Sequence, residues 1–330
     1  MRSGPGADRG FAFVMALLAA VMVAGIATTL AVVSATESRI SDNYIDAKQM
    51  TCLAEAGIQH GLWQLSQDPT NLASLAAQGL GAGKYDVVIA QSDWGRYQIA
   101  ARGRTATALG AGIAVDVSVF PQACNYALVA KTYEDVSLSA DIQGAILEPP
   151  PMDLEIDYAA LLAQADWVFS GNTTFDNDFS FNGVIFVNGD LTFRGNTVWV
   201  EGTIVATHDI KVEPDDYAHF AGKPGMPALV AGNNILLGDS NENAALSIRG
   251  MVVAQHDITF REFNSCDVWG SVWAHNKVKI ERWCWVDITW EPGLRTRPPL
   301  GILQDVATYS WALIPGTWQT LADLTPFDAL

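Results

Sequence analysis

Ile185-Phe186-Val187-Asn188-Gly189-Asp190-Leu191-Thr192-Phe193 is the first of five segments that can be laid over one another without gaps. The second is Ile204-Val205-Ala206-Thr207-His208-Asp209-Ile210-Lys211-Val212, and the third Leu229-Val230-Ala231-Gly232-Asn233-Asn234-Ile235-Leu236-Leu237. Val252-Val253-Ala254-Gln255-His256-Asp257-Ile258-Thr259-Phe260 and Val272-Trp273-Ala274-His275-Asn276-Lys277-Val278-Lys279-Ile280 complete the set. Their starts lie 19, 25, 23 and 20 residues apart, and loop inserts at 213–226 and 238–244 account for the two long intervals. Short β-rich units at a period near 20 mean a solenoid, because each unit buries its apolar face only against its neighbours.

Each position in the repeat has a physical reading. The fifth holds Gly189, His208, Asn233, His256 and Asn276; Gly tolerates positive φ, and Asn and His are enriched there, so a positive-φ turn is expected. The sixth is Asp or Asn in four copies, as a tight turn favours. Apolar residues alternate on both sides and would face inward. The third position, Val187 and then four alanines, suits a crowded corner. Two residues before each copy stands Gly183, Gly202, Gly250 or Gly270, with Pro227 in the third. The expected rung is strand, bend, strand, turn, strand, and stacked rungs give a right-handed parallel β-helix. His208 and His256 share a corner that could suggest a metal ladder, but turn geometry accounts for all five residues there, so no metal or other cofactor is expected.

Working outward, Leu128-Val129-Ala130-Lys131 with Asp135-Val136-Ser137-Leu138 forms a looser rung, so the head is read as 121–290. It is interrupted at 148–169 by three prolines and a helix over 157–165. Trp269, Trp273, Trp283, Trp285 and Trp290 crowd the last rungs and read as its end cap, with aromatic binding of sugar rings or of a partner the alternative. The Pro-rich tail 291–330 would fold over that end. Cys266 and Cys284 are 18 residues apart, near one rung, and are the candidate disulfide of a chain exposed to an oxidising compartment, with buried free thiols the other reading because the repeat alignment sets them two positions apart along the rung. Residues 84–120 read as a small β-meander after a Gly/Ala/Ser-rich loop at 69–83. The loop acids Asp176 with Asp178 and Asp215 with Asp216 make no catalytic pair with a base or nucleophile, so no enzyme is expected. The overall class is α+β.

At the other end, residues 11–33 contain no Asp, Glu, Lys or Arg. A bilayer core of about 30 Å needs about 20 helical residues, so this run can span it. Arg2 and Arg9 precede it and Glu37 follows, which orients the N-terminus to the cytoplasm and the rest outside. A secretory signal cleaved near Val33-Ser34-Ala35 and a plain signal-anchor are the other readings of this run. Residues 34–68 continue as a proline-free amphipathic stem, with Ile40, Tyr44, Ala47, Ala54, Ile58, Leu62 and Leu65 on one stripe until Asp68-Pro69 ends it. The net charge of −17 excludes a nucleic-acid partner, which would call for a Lys/Arg surplus.

Gly10-Phe11 after a short polar leader (1–10), ahead of an apolar helix, resembles the processing site of type IV prepilins. Arg39-Ile40-Ser41-Asp42-Asn43 and the later Ala54-Glu55-Ala56-Gly57 are similar to stretches of PilX-like pilus assembly proteins. The resemblance implies cleavage after Gly10 by a prepilin peptidase, N-methylation of Phe11, and packing of the helix against other pilins or pseudopilins. It places the chain in a bacterial inner membrane as a single-pass protein and then on a pilus or cell surface. Major pilins resemble one another in a Glu five positions into the mature chain; Met15 stands there here. That departure implies a minor subunit, initiating or tip-proximal, of a type IV pilus or a type II secretion pseudopilus. An anchored β-helix protein that binds or cleaves polysaccharide is the rival reading, and a bactofilin-like scaffold a third.

Overall fold

The computed structural model describes residues 7–105, 110–137, 140–148, 154–238, 244–263, 265–282, 284–304, 309–321 and 327. A single helix, α1, runs unbroken over Ala7–Gln67. Among the described residues it is the one helix long and apolar enough to cross a membrane. Its end is built as Asp68-Pro69 requires: the Asp68 carboxylate accepts from the Thr70 amide at 2.9 Å and its hydroxyl at 2.6 Å. Those bonds hold the Asp68 carboxyl below its ordinary range.

The stem stripe is covered only in its last third. Leu53, Ala54, Ile58, Leu62 and Leu65 are buried on an antiparallel sheet, whereas Ile40, Tyr44 and Ile45 stay exposed. Two glycines allow the close seat. A Cβ on Gly57 would come within 2.8 Å of Ala101 Cβ, and one on Gly61 within 2.8 Å of Ile99 Cγ2. The sheet's lower edge ends where Gly103 meets the Met50 carbonyl, which is why the stripe above that level is covered and the stripe below it is not.

Strands Gly83–Asp93, Arg96–Arg104 and Gly110–Pro121 form the centre of this sheet. Two segments expected elsewhere complete it. Leu75–Leu80, inside the expected loop at 69–83, is an irregular edge strand, kinked at Ala77 with φ 50°. The Ala77 amide donates to the buried Asp86 carboxylate at 2.9 Å, which also pairs with Arg102 at 3.1 Å and Arg104 at 2.7 Å. The tail supplies the other edge: Tyr309–Leu313 and Gln319–Leu321 both pair with Gly110–Pro121. Among the described residues, its two strands lie on this sheet and not over the solenoid's end.

The head is a parallel β-solenoid of about 7 turns. Its rungs stack in the predicted register, with Ile185, Ile204, Leu229, Val252 and Val272 aligned strand to strand. The order of rungs departs from chain order. Leu128, the earliest rung, pairs with Val272, the latest repeat, and Ile146 then pairs with Leu128. The chain next crosses the length of the solenoid through Leu154–Ile156 and a short helix α2, Tyr158–Leu162, and restarts at the opposite end with Trp167–Ser170 beside Ile185. The segment read as an interruption is therefore a crossover that separates two ends of a discontinuous solenoid.

That crossover makes a second core. Alternate residues on the first stack point inward, where Ile204, Leu229 and Val252 join the solenoid interior. The residues between them, Phe186, Val205, Val230, Val253 and Trp273, point outward yet are buried under Ile156, Leu161, Leu294 and Ile302. Leu294 lies on the turn-long helix α3, Gly293–Thr296, and Ile302 on a strand that pairs antiparallel with Leu154–Ile156. Each fully buried aliphatic or Phe side chain contributes about 1.5–3 kcal/mol, so this layer belongs to the fold and is no ornament.

Candidate interaction surfaces

The corner residues of the repeat form a ladder, but by a different device from positive φ. Among the described residues only Ala77 and Glu262 are non-glycine residues with positive φ, so His208, Asn233, His256 and Asn276 adopt ordinary backbone angles. Their amides donate rung to rung: His208 to the Gly189 carbonyl at 3.3 Å, Asn233 to His208 at 3.2 Å, and His256 to Asn233 at 2.9 Å. The position after them carries the polar work. Asp209 Oδ1 accepts from the Asn234 amide at 3.0 Å and from Asn233 Nδ2 at 2.8 Å. Asn234 Oδ1 in turn accepts from the Asp257 amide at 3.2 Å, and Asp257 Oδ1 from Asn276 Nδ2 at 2.7 Å. The Asp/Asn preference thus reflects bonds between rungs rather than within a turn, and the two histidines stand at exposed corners of this ladder.

The glycine bend needs glycine for space. A Cβ on Gly202 would lie 1.7 Å from the Gly183 carbonyl oxygen, and one on Gly270 would lie 1.9 Å from that of Gly250.

The tryptophans scatter instead of capping. Trp273 is fully buried in the second core, and the Trp290 indole donates to the Cys124 carbonyl at 3.0 Å while Arg295 lies 4.4 Å over its ring. Trp269 and Trp285 are 57% and 66% exposed on an open face, and Trp283 lies outside the described residues. Their rungs are not terminal, since the 128 and 146 rungs stack beyond them. The aromatic end cap is at the opposite end, where Trp167, Phe169, Phe175, Phe179 and Phe181 pack ring on ring with centroids 4.2–6.5 Å apart. Its sequence signal was the run of five aromatics over 167–181, ahead of the first full repeat.

No disulfide joins Cys266 and Cys284, which are buried thiols. Cys266 pairs in register with Val286, so Cys284 sits two positions along and is not stacked on it. Burial pushes the Cys284 thiol up to about 11, and drives the Cys266 thiol well above its ordinary value.

The open face alternates with the solenoid interior along strands such as Leu191–Ala206, Ala245–Ala254 and Ser265–Ala274. Residues expected in an insert, Tyr217 and His219, belong to it, because the strand Ile210–Ala221 continues past a bulge after Pro214. His219 stacks on Trp199 with centroids 4.2 Å apart. Burial lowers its imidazole's pKa, opposed by Glu201 and reinforced by Arg249. Further along the same column, Asp267, Asp287 and Asp141 stand on consecutive rungs. Burial and then the two neighbouring carboxylates raise the Asp287 carboxyl above its ordinary value. Asp178, one of the acids screened for catalysis, accepts from the Thr197 amide at 2.9 Å and serves the stack. Asp215 and Asp216 are exposed at the bulge.

At the other extreme of the chain, the backbones of Gly10 and Phe11 lie within α1, and Met15 is 52% exposed. Ala54 and Gly57 face the sheet while Glu55 points away from it, so this four-residue stretch has a packing role.

No protein-family model matches the chain, and no curated protein matches it. Among solved structures, the competence-associated pilin ComZ from Thermus thermophilus is similar over 82% of this chain and 98% of that one, at 11% identity and a TM-score of 0.35. A glycosylated ice-binding protein from an Arctic yeast is similar over 52% of this chain and 92% of its own, at 14% identity and a TM-score of 0.30.

Proposed function

We propose that the chain is a non-enzymatic, membrane-anchored structural subunit of a type IV pilus or type II secretion pseudopilus, a minor one that initiates the filament or sits near its tip. The observation that supports this most is the division of α1. Its last third is buried against its own sheet, while apolar residues from Phe13 to Val33, and Ile40 to Ile45 beyond them, have no cover among the described residues. A bilayer can take the first of these stretches. The second lies past the apolar run and calls for another helix, as packing among subunits would supply. Met15 leaves the membrane part of the helix without a counter-charge for a neighbour's terminal amine, which fits a subunit present in few copies better than shaft protein.

The test is N-terminal processing. With a prepilin peptidase co-expressed, sequencing of the mature chain should read from Phe11 with a methylated amine. An uncut chain, or a cut near Ala35, would remove the basis of the proposal.

A further inference from the structure

The sheet, the solenoid and a C-terminal strap, residues 291–304, meet at a cleft of about 620 Å³ that shares Arg96, Lys223 and Arg297 with a second hollow of about 500 Å³. Both are lined by Arg96, Lys223 and Arg297, and the larger also by Arg249. These four cations gather in a chain with 36 acidic and 19 basic residues, so the cleft is locally richer in positive charge than the chain as a whole. Two carboxylates line the cleft, Asp93 and Glu291, and Lys223 is partly answered by Asp166 at 3.3 Å. The guanidiniums are not. Arg96 spends its Nε and a terminal nitrogen on the Thr296 carbonyl, and no carboxylate pairs with Arg249 or Arg297 among the described residues.

The rim adds a second chemistry. Arg249 pairs in register with Trp269 on the next rung, about 4.8 Å away, and that indole is 57% exposed. Its surroundings are polar: Asp267 on its own strand and Thr289 in register beyond it. A lone indole among hydroxyls and carboxylates does not make the contiguous apolar patch of a protein interface. It offers a flat π-face for the C–H side of a sugar ring, with hydrogen-bonding groups at the ring's edge. A guanidinium fork beside it matches a carboxylate bidentately.

We infer that this cleft binds a carboxylated glycan, a uronic-acid oligomer, with one ring on Trp269 and carboxylates on Arg249 and Arg297. The assignment is independent of what the N-terminal helix does, since it uses residues of the head alone.

Calorimetric titration of the full chain in detergent micelles tests it, with a short oligogalacturonate as probe. A neutral cello-oligosaccharide and inorganic tripolyphosphate serve as comparisons. The uronate should bind saturably and the neutral chain should not. Arg249→Ala with Arg297→Ala should weaken binding about tenfold or more, since both charge-assisted contacts to the carboxylates are lost. Both side chains are exposed, so the melting temperature should hold and separate lost binding from lost fold. Trp269→Ala should weaken uronate binding while leaving any tripolyphosphate binding as it was. Absence of uronate binding, or equal affinity in the double variant, overturns the inference. So does tripolyphosphate binding as tightly as the uronate with Trp269→Ala without effect, which would reduce the cleft to a charge trap.

Discussion

Two outward-facing surfaces of the same solenoid have opposite fates. On the first, Phe186, Val205, Val230, Val253 and Trp273 point away from the interior and are buried all the same, under the crossover and the strap. On the second, Trp199, Trp269 and Trp285 point away and stay open beside Asp267 and Asp287. The two are separated by one bend per rung, the glycine column at 183, 202, 250 and 270. The difference teaches that apolar character on an outward position is no guide to exposure; what decides it is whether the chain has a spare segment to lay over it. Here the crossover and the strap that carries Leu294 and Ile302 both go to one side, and among the described residues no segment covers the other.

The sharpest way to break that contrast is a matched pair of tryptophan changes. Trp273→Ala empties a fully buried site and should cost about 3–5 kcal/mol, read as a lowered denaturation midpoint. A loss under about 1 kcal/mol would mean the second core is not tightly packed. Next in size is the hinge between the faces. Gly270→Ala puts a methyl group 1.9 Å from the Gly250 carbonyl oxygen and should cost about 3 kcal/mol, with the two rungs forced apart. Unchanged stability there would show that the bend relaxes freely.

A smaller effect, opposite in sign, belongs to the open face. Asp287 has its folded pKa raised above the ordinary 3.8 by burial and by Asp267 and Asp141. Its contribution to stability is therefore full below that value and is lost as pH rises through the raised one. Asp287→Asn should lift the melting temperature at neutral pH, and the gain should vanish once the medium is more acidic than the ordinary carboxylate range. A gain that persists in acid would assign it to something other than repulsion. Trp269→Ala should cost no more than about half of what Trp273→Ala costs, because 57% of that residue's surface stays in water on folding.

Much of this architecture is legible in the sequence, for a definite reason. Period-two strands, a small third residue and a glycine before four of the five copies are all local requirements, and each is met within about twenty residues. The rung that pairs with Leu128 is not local. Val272 and Ile146 offer the same kind of apolar edge, so nothing in their composition says that both flank it. The tail strand Tyr309–Leu313 hides for a similar cause: its partner Gly110–Pro121 lies far upstream and the segment itself is short and partly exposed. The tryptophans of the last repeats do not cap the solenoid because the 128 and 146 rungs, distant in sequence, stack beyond them. The cationic cleft could not be read at all, since Arg96, Lys223, Arg249 and Arg297 come from four separated segments and converge only when sheet, solenoid and strap are assembled. The Asp/Asn preference, by contrast, was visible, and only its partner, the next rung, had to wait for the structure.

The rung at Leu128 sets a timetable. Ser271 Oγ reaches the Tyr126 carbonyl at 2.8 Å across 145 residues of chain. A solenoid stacked in chain order can zip up as it is synthesised, each new rung finding its template already in place. This one cannot. Its first-made rung can close on Ile146 at once, but its other edge has no partner until Val272 of the last-made repeat arrives, and the intervening coils must grow from the far end back toward it. Closure of such a distant contact is slow and keeps an unpaired strand edge waiting. For a chain delivered N-terminus first, the head is thus finished in one late act, and an incomplete copy has an open seam where a chaperone or protease can tell it from a complete one.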